Sequence, residues 1–460
     1  MECEESNNIF LSTIVTHSSE DQAERCESIT LEKPDLLQEE SAFLEINTLS
    51  DATNPQLDCP ETCASSEDAQ TTQPSENAQK ELTTFNEEND SQLCAKDVDM
   101  ESFYYNWNNE MKQIYKATKE YEPTCSYENF TKGCQWSPDG TCLLVPSEDF
   151  RIRLYELPKE MYSQKVTVHS TSTDFSPALT IKEGGIIYDS CWYPFMNSWN
   201  SQTCCFLSTS RESPVHLWDA FTGELRATYR AYNQVDEVEA SISVQFIEHG
   251  KEVWCGFKNV LRIFDTERPG RQIKTIQFKK DFPNLTGLVS CIRENPIMPG
   301  LVAFGTYSKC IGLYKDSPLC TFKTGNGVTQ IEFSPCGTKL FSVVRRSNEF
   351  LCWDLRNPGV ILYSLEDRVS DTNQRIQFTV TPSGEQIVSG GTDGVVQIWE
   401  LPTGACDGDL KPKYKIKLSS DCINGISLHR SLPIVATSTG QRLCETTDER
   451  DNSVRLWWAS

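Results

Sequence analysis

The sequence has 460 residues and a formal net charge of −24, from 42 Lys and Arg against 66 Asp and Glu. The charge is concentrated at the start of the chain, because residues 1–100 hold 24 acidic and only four basic residues. Residues 101–460 are therefore close to neutral, and the overall acidity does not exclude an anionic partner for this larger part.

Simple patterns exclude several classes of protein. No apolar run approaches the roughly 18 residues that a membrane-spanning helix needs. The acidic first residues lack the basic and apolar regions of a secretory signal, so we expect no membrane partner. The 20 cysteines lie mostly in alternating apolar segments without CxxC spacing, which predicts buried free thiols in a reducing compartment and no metal or other cofactor.

Residues 1–100 are predicted to be a disordered acidic tail. They are rich in Glu, Asp, Ser, Thr, Asn and Gln, a composition that cannot bury enough apolar surface to offset chain entropy. Two short apolar islands stand out, at 9–11 and 36–44. The second has helical spacing, which fits either folding on a partner or a chance cluster.

From about residue 125 the sequence becomes repetitive. Short segments of Val, Ile, Leu and aromatic residues alternate with turns, and long amphipathic helical patterns are missing. Seven units recur at a spacing of about 50 residues. Their first strands are predicted around Trp136, Trp192, Phe246, Ile292, Phe333, Phe378 and Leu428. Their third strands are predicted to carry Tyr155, Trp218, Phe264, Tyr314, Trp353, Trp399 and Trp457.

The turns and the closing residues indicate the fold. Segments 137–140, 334–337 and 381–384 each place Pro and Gly where a tight turn needs them. Asp or Glu follows the closing aromatic in five units, as in Trp218-Asp219 and Trp353-Asp354. This is the WD-repeat pattern of an all-β, seven-bladed β-propeller, and a row of β-sandwich domains is the alternative.

Closure of the ring requires a strand from elsewhere in the chain. The last predicted strand, 454–458, leaves the seventh blade without a fourth strand of its own, and an open sheet edge favours aggregation. We expect a segment within 101–128 to supply the missing outer strand. The predicted organisation is thus a tail at 1–100, a linker with the closing strand at 101–128, and the propeller at 129–460.

Motifs for catalysis are missing. The sequence contains no HExxH, GxxxxGK[ST] or GxSxG, and Gly325-Asn326-Gly327 reads as a turn entering the fifth blade. His216 and His429 alternate with apolar strand residues, which is typical of structural histidines. We therefore predict that the protein is not an enzyme.

The turns between the second and third strands of the blades are more informative. In a propeller they share one face with the loops that enter the first strands, and six of the seven carry a basic residue here. A ring of cations with flat side chains beside them suits single-stranded RNA, although exposed turns are commonly polar in any case. The candidate RNA-binding residues are Lys132, Phe150, Arg151, Arg211, Phe257, Lys258, Tyr307, Lys309, Arg345, Arg346, Arg375, Gln441 and Arg442.

Four further lysines alternate along the outer strand predicted for the sixth blade. Lys411, Lys413, Lys415 and Lys417 are expected to share one face of this strand. Lysine on an outer strand is commonly a guard against edge-to-edge pairing, and an RNA contact is the alternative.

Several stretches of the predicted propeller resemble the telomerase Cajal body protein 1 family. The resemblance extends over about 130–458 and is far more specific than WD repeats in general. The matching stretches are Ser210 to Asn233, Lys132-Gly133-Cys134 with Trp136, Asp189 to Tyr193, Arg268 to Arg271, Thr372 to Arg375, Asn424 to His429, and Gly440 to Arg442. The sequence departs from the vertebrate pattern in stopping soon after Trp458 and in the lengths of the loops after Leu157 and Cys444.

The resemblance implies a non-enzymatic nuclear RNA-binding propeller. Such a protein recognises the Cajal body box of small Cajal body RNAs and of telomerase RNA, and directs these particles to Cajal bodies. It also acts as an RNA chaperone that supports telomerase assembly and telomere maintenance, with a transient presence at telomeres and some protein in the cytoplasm. Implied protein partners are the box H/ACA ribonucleoprotein with dyskerin, the telomerase catalytic subunit, coilin, the survival motor neuron protein and the cytosolic chaperonin. A protein-only WD-repeat scaffold or adaptor remains the alternative from the fold alone.

Overall fold

The computed structural model describes residues 105–122, 129–162, 173–402, 408–442 and 450–459. These residues form seven antiparallel sheets that are the blades of a β-propeller, so the all-β, seven-bladed architecture is confirmed. The acidic tail predicted at 1–100, with both apolar islands, lies outside the described residues.

The first described strand, β1 (Lys112–Ala117), precedes the first blade in the chain. Blade 1 contains β2 (Gln135–Trp136), β3 (Cys142–Pro146), β4 (Arg151–Glu156) and, after the two-residue strand β5 (Thr173–Asp174), β6 (Leu179–Lys182). Blade 2 contains β7 (Ile187–Trp192), β8 (Cys205–Ser210), β9 (Val215–Asp219) and β10 (Leu225–Tyr229). A separate hairpin follows, with β11 (Ala231–Tyr232) and β12 (Val238–Glu239).

The next two blades have the same order of strands from the centre outwards. Blade 3 contains β13 (Ser243–Ile247), β14 (Glu252–Phe257), β15 (Val260–Asp265) and β16 (Lys274–Gln277), followed by the single-turn helix α1 (Phe278–Asp281). Blade 4 contains β17 (Val289–Glu294), β18 (Val302–Thr306), β19 (Cys310–Lys315) and β20 (Ser317–Lys323).

The last three blades complete the ring. Blade 5 contains β21 (Val328–Phe333), β22 (Lys339–Val344), β23 (Phe350–Asp354) and β24 (Val360–Ser364). Blade 6 contains β25 (Phe378–Val380), β26 (Gln386–Ser389), β27 (Val395–Glu400) and β28 (Tyr414–Lys417). Blade 7 contains β29 (Ile423–Leu428), β30 (Ile434–Thr439) and β31 (Val454–Trp458).

The described helices are short. Besides α1 there are 3-10 turns at Lys119–Tyr121, Lys159–Tyr162 and Ser201–Thr203. Across the described ranges, no helix has the length and apolar character needed to cross a membrane. Twelve cysteines lie in these ranges and all are free thiols, ten of them buried, which matches the prediction for this part of the chain.

The predicted strand positions are confirmed in every blade. The seven expected opening residues lie on, or at the end of, first strands, and the seven closing aromatic residues all lie on third strands. In the turn after the first strand of blades 1, 5 and 6, the glycine adopts positive φ (76°, 71° and 74°) and its N–H donates to the residue three positions earlier. These are the turns that the Pro and Gly spacing predicts.

The core is divided among the interfaces between blades. Seven apolar clusters are present, one between each pair of neighbouring blades, because alternate residues of a strand face the blades on either side. The opening and closing aromatic residues belong to these clusters; Trp136 and Tyr155 lie between blades 7 and 1, and Trp399 lies between blades 5 and 6. The aromatic periodicity in the sequence therefore reflects blade-to-blade packing.

The ring is closed by β1. This strand pairs antiparallel with β31, from Lys112 opposite Trp458 to Ala117 opposite Val454, and becomes the fourth strand of blade 7. It lies within 101–128, the range from which the closing strand was expected. The short strand β5 from blade 1 then pairs in parallel with β1, so blade 7 has five strands.

Side chains at the same seam tie blade 7 to blade 1. The Asn424 side chain donates to the carbonyl oxygens of Thr131 (2.7 Å) and Gly440 (2.6 Å) and accepts from the N–H of Gly133 (3.2 Å). Ahead of β1, the Tyr105 hydroxyl donates to the His429 carbonyl oxygen at 2.5 Å. Because both amide ends of Asn424 are used and the residue is fully buried, the seam is held by directed hydrogen bonds as well as by apolar packing.

Candidate nucleic-acid interface

The turns between second and third strands all lie on one face of the propeller. Each blade runs from its inner strand outwards with antiparallel neighbours, so the topology places these seven turns on one face together with the connections that enter the first strands. We call it the turn face. The structure thus brings the candidate turns onto one side of the ring, as the sequence analysis expected.

Three adjoining turns are linked through backbone contacts. Lys258 of blade 3 forms a bridge with Leu288, and the Tyr307 N–H of blade 4 donates to the carbonyl oxygen of the same Leu288 at 3.0 Å. The Arg345 N–H of blade 5 donates to the Gly327 carbonyl oxygen at 2.8 Å, and a Cβ at Gly327 would lie 2.6 Å from the Tyr307 carbonyl oxygen. The turns of blades 3, 4 and 5 therefore form one continuous surface.

This surface carries cations that are available to a ligand. Lys258, Lys309 and Arg346 are exposed, and in the described ranges none of them forms an ion pair. Lys309 and Arg346 both have positive φ, 63° and 51°, so their backbones sit at the tips of tight turns. We call Lys258, Lys309, Arg345, Arg346 and Tyr307 together the cationic arc.

Within the arc, Arg345 and Tyr307 form a stacked pair. The Arg345 guanidinium lies 4.9 Å from the centre of the Tyr307 ring. Burial raises the pKa of the Tyr307 hydroxyl, so the ring remains a neutral phenol. Such a pair has a flat outer face, and a base stacks well on a flat guanidinium or aromatic surface.

On the other side of the ring, carboxylates neutralise the candidate cations. Glu148 accepts from Lys132 at 2.7 Å and from Arg442 at 2.6 Å, which joins blades 1 and 7. Burial lowers the pKa of Lys132, an effect that its partner Glu148 opposes. Arg151 pairs with Asp149 at 3.0 Å. These cations have carboxylate partners already and are poorer phosphate ligands than those of the arc.

Two further candidates in the turns are occupied by local contacts. Arg211 pairs with its neighbour Glu212 at 3.3 Å. The Gln441 amide donates to Asp421 at 3.0 Å. Both residues contribute to the structure of the turn face in the position where the sequence analysis placed an RNA ligand.

The aromatic candidates differ in their exposure. Phe257 is only 4% exposed, packs in the cluster between blades 2 and 3, and has the Arg262 guanidinium 4.4 Å from its ring centre. The expectation that Phe257 stacks on a base is therefore wrong, because the last residue of β14 points into the core. Phe150, in contrast, is 37% exposed at a turn position with φ of 62° and remains accessible.

Arg375 does not lie on the rim, which corrects a second expectation. It enters the first strand of blade 6, but its guanidinium crosses to Asp189 of blade 2 (2.9 Å) and to the Ser290 carbonyl oxygen of blade 4 (2.9 Å). A side chain that contacts three alternate blades lies at the centre of the ring. Arg375 therefore connects blades across the central channel.

Both strand histidines are held in structural networks. His216 Nδ1 lies 3.0 Å from the buried Glu183, which also accepts from the Trp218 indole N–H at 2.9 Å. His429 Nε2 lies 2.9 Å from the Gly140 carbonyl oxygen, and its Nδ1 accepts from the backbone N–H of Leu432 at 3.0 Å. These contacts account for both rings.

The lysine-rich outer strand is confirmed as the edge of blade 6. Lys415 and Lys417 lie in β28, with side chains on its exposed face, and Lys413 and Lys411 precede it. Lys413 pairs with Glu400 at 2.6 Å and Lys415 with Asp367 at 2.9 Å. Since two of these lysines have acidic partners, the role of edge guard fits them better than an RNA contact.

The sequence analysis missed the acidic partners that divide the turn face into two halves. Asp149 and Arg151 are two positions apart, which is a local signal for their ion pair. Glu148 and Arg442 are 294 positions apart, and nothing in the sequence indicates that pair before the ring closes.

Comparison with known proteins adds the family. The family model for the WD domain, G-beta repeat, matches residues 372–400. Telomerase Cajal body protein 1 of Mus musculus is 45% identical over 69% of this chain and 60% of its own length. The Homo sapiens protein of the same name is 42% identical over 76% of this chain and 64% of its own length. The chain belongs to the telomerase Cajal body protein 1 family.

The family extends beyond mammals. The Drosophila melanogaster telomerase Cajal body protein 1 homolog is 39% identical over 68% of this chain and 57% of its own length. The chain thus spans less than two thirds of these curated relatives. Their names connect them with telomerase and with Cajal bodies.

Proposed function

We propose that the protein binds single-stranded RNA on the cationic arc. The observation that carries the proposal is the set of three exposed cations without ion pairs, Lys258, Lys309 and Arg346, on the turns of three adjoining blades. Lysine and arginine on one face attract the phosphates of a strand. The flat pair of Arg345 over Tyr307 lies within the same surface and offers a place for a base.

The family suggests which RNA is bound. Relatives named for telomerase and for Cajal bodies support a role in a nuclear ribonucleoprotein. We propose that the ligand is the Cajal body box of small Cajal body RNAs, and telomerase RNA where present, and that binding directs these particles to Cajal bodies and assists telomerase assembly. The proposed protein partners are those of the box H/ACA particle with dyskerin, the telomerase catalytic subunit, coilin and the survival motor neuron protein. The proposed function is binding without catalysis.

Charge reversal on the arc tests this function. In the triple variant Lys258→Glu, Lys309→Glu, Arg346→Glu, affinity for an RNA carrying the terminal loop of a box H/ACA small Cajal body RNA is expected to fall at least tenfold. The salt dependence is expected to flatten, because each lost phosphate contact lowers the slope of log K against log salt by about 0.7 for a single strand. Fluorescence anisotropy over a salt series measures both quantities.

The matched control is Lys251→Glu. Lys251 is exposed in the turn after the first strand of blade 3, on the face opposite the arc. It is expected to leave both affinity and salt slope unchanged. If the triple variant behaves like this control, the arc is not an RNA site, and the protein-only scaffold becomes the better interpretation.

A further inference from the structure

Blade 6 is the exception among the seven turns, because it carries an acid where the other six carry a cation. Its turn contains Thr392 and Asp393. Asp393 is exposed and its Oδ1 accepts from the Val395 N–H at 3.2 Å. Within the described ranges the Asp393 carboxylate has no cationic partner. One turn of the turn face therefore attracts the opposite charge from the cationic arc.

An open cavity of about 490 Å³ lies beside this turn, and we call it the blade 5–6 cavity. It is lined by Asn348 from blade 5, Val369 and Asp367 from the connection to blade 6, and Asp393, Gln397 and Lys415 from blade 6. The volume falls in the range of about 300–1,000 Å³ that is common for ligand sites. Most of the lining is polar, so a polar group fits it better than an apolar one.

Gln397 gives the cavity a fixed hydrogen-bond acceptor. Its side chain is only 2% exposed, and its Nε2 donates to the Asp367 carbonyl oxygen at 2.6 Å. A carbonyl oxygen can only accept, so the amide nitrogen must face Asp367 and the orientation of the amide is determined. The buried Oε1 accepts no hydrogen bond from the described residues. A buried acceptor without a donor is unfavourable, and a ligand with an N–H would satisfy it.

The charges of the cavity favour a cation. Lys415 is paired with Asp367 at 2.9 Å, and Lys417 donates to the backbone carbonyl oxygen of Asp393 at 2.5 Å. The lysines thus leave the Asp393 carboxylate unneutralised. Arg368, next to Asp367 in the chain, is fully buried and donates instead to Ser389 and to the Ile376 carbonyl oxygen.

We propose that the blade 5–6 cavity binds an arginine side chain of a partner protein. The guanidinium offers five N–H donors in one plane and a permanent charge. One donor satisfies Gln397 Oε1 and another pairs with Asp393. This site goes beyond the proposed RNA function, because it selects a cationic group of a protein where the arc selects phosphate.

A pair of peptides tests the site in the full-length protein. The probes are a fluorescein-labelled peptide with one arginine between four glycines on each side, and the same peptide with citrulline, which keeps the shape and loses the charge. The arginine peptide is expected to bind about tenfold more tightly by fluorescence anisotropy, in line with the strength of a charged hydrogen bond. Equal affinities for the two peptides would overturn the proposal.

Three variants locate the binding. Asp393→Asn is expected to remove the preference for arginine, and Lys415→Gln is expected to increase it, because Asp367 then becomes available as a second carboxylate. Asp371→Asn is the matched control, since Asp371 is exposed in the same connection but does not line the cavity. None of the three is expected to change RNA affinity, which separates this proposal from the function of the arc. An arginine preference that survives Asp393→Asn would contradict the site.

Discussion

The buried ring of His429 contacts both sides of the seam between blades 7 and 1. It lies within hydrogen-bond distance of Gly140 of blade 1, and its own backbone oxygen accepts from Tyr105 ahead of β1. Burial lowers the pKa of His429 below its ordinary value of 6.5, although the bond to Gly140 opposes this. The seam is therefore built around a neutral imidazole.

Acid is expected to weaken the folded state through this group. At pH values above 6.5 the ring is neutral in both states, so it contributes no pH dependence. As the pH falls below 6.5 the unfolded chain binds a proton that the folded chain does not, and the free energy of unfolding decreases until the pH passes the folded pKa. Urea unfolding at about pH 7.5 and about pH 5.5 is expected to show a smaller difference for His429→Gln than for the native protein.

His249→Gln is the control for this prediction. His249 is exposed in the turn after the first strand of blade 3. It is expected to retain the native difference between the two pH values. If His429→Gln retains it too, the neutral ring is not the source of the acid sensitivity.

The individual residues of the turn face show how far a sequence can predict a site. The positions of Lys258, Lys309 and Arg346 on one face follow from the strand order alone, which the repeat pattern predicts. The burial of Phe257 does not, because whether the last residue of a strand points inward depends on the register of that blade. The pairing of Lys132 with Glu148 depends on the side-chain geometry within one turn. Geometry of this kind is not encoded in residue spacing.

At the scale of elements, the strand β1 has an effect larger than its six residues suggest. It covers the edge of β31 and buries Ile114 and Ala117 in the cluster between blades 7 and 1. The sequence predicted that such a strand was needed, since the seventh unit was one strand short. It did not predict β5, whose two residues give no pattern of their own.

Damage to this strand is expected to open the ring. Deletion of 101–128 is expected to cause aggregation or loss of cooperative melting, because the edge of β31 is then exposed. Ile114→Asp, which buries a charge, is expected to lower the free energy of unfolding by about 3 kcal/mol or more. Differential scanning calorimetry measures both effects.

Lys112→Asp is the matched control within the same strand. Lys112 is exposed at the start of β1, and its replacement is expected to change the melting temperature little. Native melting of the deletion variant would show that β1 is dispensable for closure.

At the scale of the whole molecule, Arg375 connects blades that are not neighbours. It is bound to blades 2 and 4 from its place at the start of blade 6. Asp189 is 8% exposed and Arg375 24% exposed, so the pair is largely shielded from water. The seven blades are thus coupled through the centre as well as around the circumference.

Loss of this connection is expected to destabilise the whole ring. Arg375→Met leaves the Asp189 carboxylate without its cation, and an uncompensated buried charge costs about 3 kcal/mol or more. The double variant with Asp189→Asn is expected to recover part of that loss, since asparagine can still accept from the Val244 N–H. Urea unfolding of the four proteins in this cycle measures the coupling.

Arg356→Met provides the comparison with an exposed pair. Arg356 is 56% exposed and contacts Asp354 at 3.0 Å, so its loss is expected to change the free energy of unfolding by about 0.5 kcal/mol or less. An equally small effect of Arg375→Met would mean that the pair at the centre is no stronger than one at the surface.

The pairing of β1 with β31 also has a consequence during protein synthesis. Tyr115 and Leu456 are opposite each other in the sheet but 341 positions apart in the chain. At roughly 5–20 residues per second, the ribosome takes about 20–70 s to produce the second partner after the first. During that interval a sticky strand waits with no neighbour. A newly made chain of this kind benefits from shelter until its far end emerges, which is the service that a folding chamber provides.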